Sequence, residues 1–106
     1  MNKEVSISVI IATYNRYKKL RNCLNSLLRN KKKGFDSFEV IVVDDGGHLE
    51  RKIETEINGL DIKWIYNKDN KAQPAAQATG VKQAKGKILA FLDDDAEVDN
   101  NWLKSI

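Results

Sequence analysis

Val5-Ser6-Ile7-Ser8-Val9-Ile10-Ile11-Ala12-Thr13, followed at once by Tyr14-Asn15-Arg16, is the stretch whose reading decides the fold. Its nearly continuous β-branched residues predict a strand, because a branched Cβ packs well on a pleated surface and crowds a helix. So apolar a run is expected where a strand is covered on both faces, as in a parallel sheet flanked by helices. Beyond Asn15 the period changes. Tyr17, Leu20, Cys23, Leu24, Leu27 and Leu28 recur at three- and four-residue intervals, the stripe of an amphipathic helix, and cations from Arg29 to Lys33 suit its carboxyl end.

The same alternation continues along the chain. Val40-Ile41-Val42-Val43 predicts a second buried strand, stopped by Asp44-Asp45-Gly46-Gly47, where glycine permits a sharp turn. A loose helix is expected over residues 49–57. Ile62-Lys63-Trp64-Ile65-Tyr66 is less uniformly apolar and reads as a third strand nearer the sheet edge. Pro74 suits the first turn of a helix whose small face, Ala75, Ala78, Val81 and Ala84, is expected to lie close to the sheet. Gly86 ends it, Ile88-Leu89-Ala90-Phe91-Leu92 predicts a fourth buried strand, and Asp93-Asp94-Asp95 follows directly. The order βαβαβαβ implies an α/β fold, a three-layer Rossmann-like arrangement with parallel strands and right-handed crossovers.

In an open parallel sheet, ligands bind beyond the carboxyl ends of the strands where strand order reverses. Three polar clusters fall at such ends: Thr13-Tyr14-Asn15, Asp44-Asp45 and Asp93-Asp94-Asp95. With the strand order 3-2-1-4 all three meet in one cleft. The aspartate run, with Glu97 and Asp99 behind it, concentrates like charge that a divalent cation relieves. Mn²⁺ and Mg²⁺ prefer hard carboxylate oxygens and share their shell with phosphates and water. Helix capping by Asp95 or Asp99 near Asn100 is the competing reading, but capping employs one aspartate rather than three. Asp44-Asp45-Gly46-Gly47 reads equally as a turn or as a carboxylate that accepts from a base or ribose. Tyr14 reads as a base-stacking ring or as packing.

The 106 residues, 42% of them hydrophobic, fit one domain with one core. A net charge of +3 permits weak anion affinity and does not call for nucleic acid. Cys23 is the sole cysteine, which excludes an intrachain disulfide and a cysteine-based zinc site and suggests a reducing, cytoplasmic setting. Residues 1–4 lead into a stretch too short and polar to span a bilayer, with no cleavage pattern of a signal peptide. Lys31-Lys32-Lys33 is too small a cluster to hold a membrane firmly, so any membrane contact is expected to be peripheral, at the inner face. His48 reads as a solvated loop residue. Trp64 and Trp102 read as core or interface.

The residues now assembled resemble the inverting glycosyltransferases of family 2, which have the GT-A fold. The residues from Ser8 to Arg16 resemble that family's opening strand, those from Glu39 to Gly46 its second, and those from Ala84 to Asp95 the approach to its D-x-D motif, with Asp93 and Asp95 as the defining aspartates. The resemblance implies a nucleotide-binding set of Ala12, Thr13, Tyr14, Asn15, Asp44, Asp45, Asp93 and Asp94. Within it, Ala12 and Tyr14 border the base, Asp45 contacts uracil or its equivalent, and Asp93 and Asp94 lie near the ribose and sugar. Asp95, with Asp93, is implied as the ligand of Mn²⁺ or Mg²⁺. The implied donor is a nucleotide-diphosphate sugar, UDP-linked by expectation, and the acceptor a glycan or lipid-linked hydroxyl. The family often has Gly-Gly before Pro74 and Arg-Asn in place of Gln77-Ala78, so an arginine contact to the donor from that helix does not carry over.

Residues 99–106 begin a helical pattern, with Trp102, Leu103 and Ile106 spaced for burial and no C-terminal cap. Residues 1–106 are therefore expected to be the donor-binding part of a GT-A domain, with the acceptor platform and catalytic base beyond Ile106, inactive alone and prone to self-association. A nucleotidyltransferase or another nucleotide-binding α/β domain is the alternative, though Thr13-Tyr14-Asn15-Arg16 has no glycine-rich loop of the kind such enzymes usually carry. A noncatalytic interaction domain is the third reading, and metal-dependent nucleotide binding separates it from the others.

Overall fold

The computed structural model describes residues 5–106; residues 1–4, read above for a targeting signal, lie outside them. Four parallel strands, β1 (Ile7–Thr13), β2 (Phe38–Asp45), β3 (Ile62–Asn67) and β4 (Ile88–Phe91), form one sheet in the order β3-β2-β1-β4. Between them run helices α1 (Tyr17–Lys32), α2 (Ile53–Glu56) and α3 (Gln73–Gln83), and a 3-10 turn, Leu103–Ser105, follows β4. β1 and β2 are central and buried throughout apart from the partly exposed Ala12, which is why their sequences are the most uniformly apolar.

Successive strand residues face opposite layers. Val9, Ile11, Val40 and Val42 therefore join Leu20, Cys23, Leu24 and Leu27 of α1, together with Ile53 and Leu103, in the larger core. Ile10, Ile41 and Val43 face the other way, onto Ala76 of α3. The sheet-facing stripe of α3 is Ala76 and Gly80 with Ala84 partly covered, not the expected Ala75, Ala78 and Val81, which are exposed. Close approach at Gly80 sets this rotation: a Cβ there would lie 2.7 Å from Ile10 Cγ2.

β4 departs from the expected buried strand. Ile88, Leu89 and Phe91 are 44%, 40% and 50% exposed, because β1 covers one edge of β4 and no described element pairs with the other. The loose helix expected over residues 49–57 is one turn, Ile53–Glu56, anchored by buried Leu49, Ile53 and Ile57. Leu103 is buried as expected, whereas Ile106 is exposed.

At the amino end of the sheet, the buried Glu39 carboxylate accepts from the Ser8 hydroxyl at 2.6 Å and the Lys85 amide at 2.7 Å, and the Gly86 amide donates to Ser8 Oγ at 2.8 Å. Lys63 Nζ stands 3.8 Å from the other Glu39 oxygen. These contacts fix where β4 begins against β1. The Leu92 amide then donates to the Ile10 carbonyl at 3.0 Å, so Asp93 leaves the sheet directly beside the end of β1.

Candidate functional site

A cleft of about 340 Å³ opens at the carboxyl ends of the strands, lined by Ala12, Thr13 and Tyr14 after β1, Asp45 at the end of β2, and Asp93, Asp94 and Asp95 after β4. Arg16, Asn70, Ala72 and Gln73 complete it. The strand order produces this meeting, since β1 lies between β2 and β4 and the chain, having run outward from β1 to β3, returns through α3 to β4 on the other side of β1.

Each wall has its own support. The buried Asp94 accepts the Thr13 hydroxyl on Oδ2 at 2.9 Å and faces Arg16 Nη1 from Oδ1 at 3.4 Å. Asp95, half exposed, also faces Arg16 Nη1, at 3.6 Å. Asp45 Oδ1 accepts from Asn67 Nδ2 at 3.1 Å and the Lys71 amide at 3.0 Å, which orients its carboxylate toward the cleft wall. Tyr14 is 48% exposed at the mouth of the cleft. Beneath the aspartates, the Cys23 thiol donates to the Asp93 carbonyl at 3.7 Å. Burial first, and then the nearby Asp94, Asp95, Glu97 and Asp93 charges, push this thiol up to about 12.

Asn15 and Asp44 do not line this cleft. Asp44 precedes Asp45 on an alternating strand, and its carboxylate accepts the Gly47 amide at 3.2 Å beside a neighbouring cavity that His48 and Tyr66 also line. Asn15, in the left-handed region at φ 54°, accepts the His48 amide at 2.7 Å. Both brace the turn after β2. Asp99 accepts from the Asn101 amide at 2.8 Å within a local turn, and the N-cap residue of the 3-10 turn that follows, Trp102, makes no side-chain cap, so the expected capping by Asp95 or Asp99 is not found.

Sequence reasoning did not single out Arg16, Asn70, Ala72 or Gln73. Arg16 meets its acidic partner 78 positions away, a juxtaposition no local pattern carries. Ala72 has φ 69°, a left-handed backbone where glycine would be the usual signal, and alanine concealed it.

Among the described residues no group of three or more His, Cys, Asp or Glu is close enough to cage a metal. The donor set still fits a hard cation of the Mg²⁺ type, which binds through one or two carboxylates and takes its remaining oxygens from water and phosphate. The Arg16 guanidinium, placed between Asp94 and Asp95, shows that these carboxylates converge on a cation.

Comparison with known proteins agrees with this architecture. The chain is 33% identical over 103 residues to the glycosyltransferase AglE of Haloferax volcanii, covering 92% of this chain and 33% of that protein. The structure of Staphylococcus aureus TarS residues 1–349 in complex with UDP superposes with a TM-score of 0.85 at 31% identity, over 95% of this chain and 30% of that one. A mannosyltransferase of Pyrobaculum calidifontis, PcManGT, solved with GDP-Man and Mn²⁺, shares the fold, with a TM-score of 0.82 at 22% identity over 94% of this chain and 30% of that one. The chain thus spans about a third of the length of these proteins. Residues 8–106 match the family described as Glycosyl transferase family 2, and the chain belongs to that family.

Proposed function

We propose that this chain binds the donor of a sugar transfer, a nucleotide-diphosphate sugar of the UDP type, with a divalent cation, and that the whole protein transfers the sugar to a hydroxyl of a glycan or lipid-linked acceptor. The carrying observation is the single cleft that gathers Tyr14, Asp45 and the three consecutive aspartates at the ends of three neighbouring strands. In this reading Tyr14 and Ala12 border the base, and Asp45, already oriented by Asn67 and Lys71, accepts from the uracil ring. Thr13 holds Asp94 toward the ribose and sugar. Asn15 and Asp44 act indirectly, through the turn that shapes the pocket.

Asp95, with Asp93, would hold Mn²⁺ or Mg²⁺, which would supply charge neutralisation for the diphosphate. Without it the diphosphate would approach several carboxylates in one cleft, which is electrostatically unfavourable. The choice of UDP is supported by the TarS complex at 31% identity. This chain covers about 30% of that enzyme's structure, so the donor half of the reading is the part its residues carry. The cytoplasmic, at most peripheral, setting belongs to the same reading, with Cys23 as a buried free thiol. No described helix is long and apolar enough to cross a membrane.

Calorimetric titration of nucleoside diphosphates into the chain with Mn²⁺ or Mg²⁺ tests the reading. Saturable binding with UDP preferred supports it. Absence of binding by any nucleoside diphosphate under those conditions overturns it and leaves a noncatalytic domain.

A further inference from the structure

The cleft contains one cationic side chain among its lining residues, Arg16, which shares the lining with four carboxylates, Asp45, Asp93, Asp94 and Asp95, and pairs with the last two. Its backbone is fixed, because its carbonyl accepts the Leu20 amide at 2.9 Å in the first turn of α1. Its side chain is not fixed in the same way, being 50% exposed. Nη1 lies 3.4 Å from Asp94 Oδ1 and 3.6 Å from Asp95 Oδ2, so one guanidinium nitrogen serves two adjacent acids. The two acids differ. Asp94 has a side chain 10% exposed and keeps the Thr13 hydroxyl whatever Arg16 does, whereas the Asp95 side chain is 48% exposed at the mouth.

We propose that Arg16 is the resident counter-cation of Asp94 and Asp95, and that a divalent ion gains Asp95 only by displacing the guanidinium. The proposal rests on the metal-assisted donor reading above. Arginine cannot shed its proton to make way for a second cation, so displacement must be by movement. The half-exposed side chain can swing out without opening the core. A diphosphate gives the planar fork of the freed guanidinium a bidentate oxygen partner to replace the carboxylates. Donor and metal therefore assist each other: the diphosphate draws Arg16 off Asp95, and the metal lowers the cost of bringing phosphate to the aspartates. By linkage each tightens the other by the same factor.

The test is Mn²⁺ binding to the chain without nucleotide, read as loss of the free-ion electron paramagnetic resonance signal. Arg16→Gln should tighten Mn²⁺ by about two- to fivefold, the scale of one lost competing surface ion pair. Arg16→Lys, which keeps the charge and loses the fork, should stay nearer the parent chain than the glutamine variant does. Asp95→Asn added to Arg16→Gln should abolish the gain, with circular dichroism showing that all variants fold. The mutual tightening of Mn²⁺ and UDP should shrink in Arg16→Gln. Equal Mn²⁺ affinity in the parent chain and Arg16→Gln, with UDP binding still metal-dependent, overturns the proposal and leaves the donor reading intact. UDP binding that ignores Mn²⁺ overturns the donor-metal reading and the proposal with it.

Discussion

Gly46→Ala should both destabilise the chain and damage the donor cleft. Gly46 has φ 78°, and a Cβ built there would lie 2.3 Å from the Asn70 amide nitrogen and 2.5 Å from the Asp69 carbonyl carbon. An L-residue in the left-handed region costs about 1–2 kcal/mol. The contact is with backbone, which cannot rotate away, so the loop must retreat by about 1 Å to reach ordinary contact distance, and forced overpacking of this kind costs roughly 1–3 kcal/mol. Alanine returns about 0.4–1 kcal/mol by restricting the unfolded chain. The net loss is about 1–5 kcal/mol, centred near 3, a large part of the roughly 5–15 kcal/mol that holds a domain folded. With a central urea slope of about 2 kcal/mol per molar and a central loss of about 3 kcal/mol, the midpoint should fall by about 1.5 M, measured by circular dichroism. The retreating segment contains Asn70 and precedes Lys71, whose amide holds Asp45, so UDP affinity should fall as well under conditions where the variant is folded. A stability loss below about 1 kcal/mol would refute the steric reasoning. Unchanged UDP affinity in the folded variant would refute the link from this turn to Asp45.

Asp45→Ala should weaken UDP by about ten- to a hundredfold, the scale for a hydrogen bond to a charged group, and leave Mn²⁺ affinity unchanged in the same calorimeter. The Cys23 thiol is raised to about 12 in the fold, so the unfolded chain ionises first; stability should decline as pH climbs past the ordinary thiol value of about 8.5, and Cys23→Ala should lose that slope in urea titrations across alkaline pH. The open β4 edge, with Ile88, Leu89 and Phe91 exposed, should draw chains together as concentration rises, and sedimentation showing a strict monomer at high concentration would contradict this.

The sheet was legible because burial on both faces leaves a mark in composition. β1 and β2 carry that mark as the central strands, while the order β3-β2-β1-β4 rests on the βαβ alternation and on the need for the polar clusters holding Tyr14, Asp45 and Asp95 to converge. β4 misled for a related reason: Ile88 and Phe91 are apolar, yet apolarity records what a residue would bury against, not what lies beside it among the described residues. α3 was harder, since a helix of small residues has little amphipathic signal and its rotation is set by the backbone approach at Gly80. Asp44 and Asp45 were indistinguishable as neighbours in sequence, and only the strand's alternation separates a turn brace from a cleft wall. Arg16 was hidden because its charge acquires meaning only opposite Asp94 and Asp95, across the fold.

The central claim is that a divalent cation bridges the aspartate run to the donor's diphosphate. Calorimetric titration of UDP into the chain with Mn²⁺, with EDTA instead, and into Asp95→Asn with Mn²⁺ tests it most directly, because asparagine keeps the shape of aspartate and removes its charge. The expected dissociation constant with Mn²⁺ is weaker than about 10 μM, above roughly −7 kcal/mol, with EDTA and Asp95→Asn each weakening binding at least about tenfold further. Equal affinity in all three titrations would contradict the account.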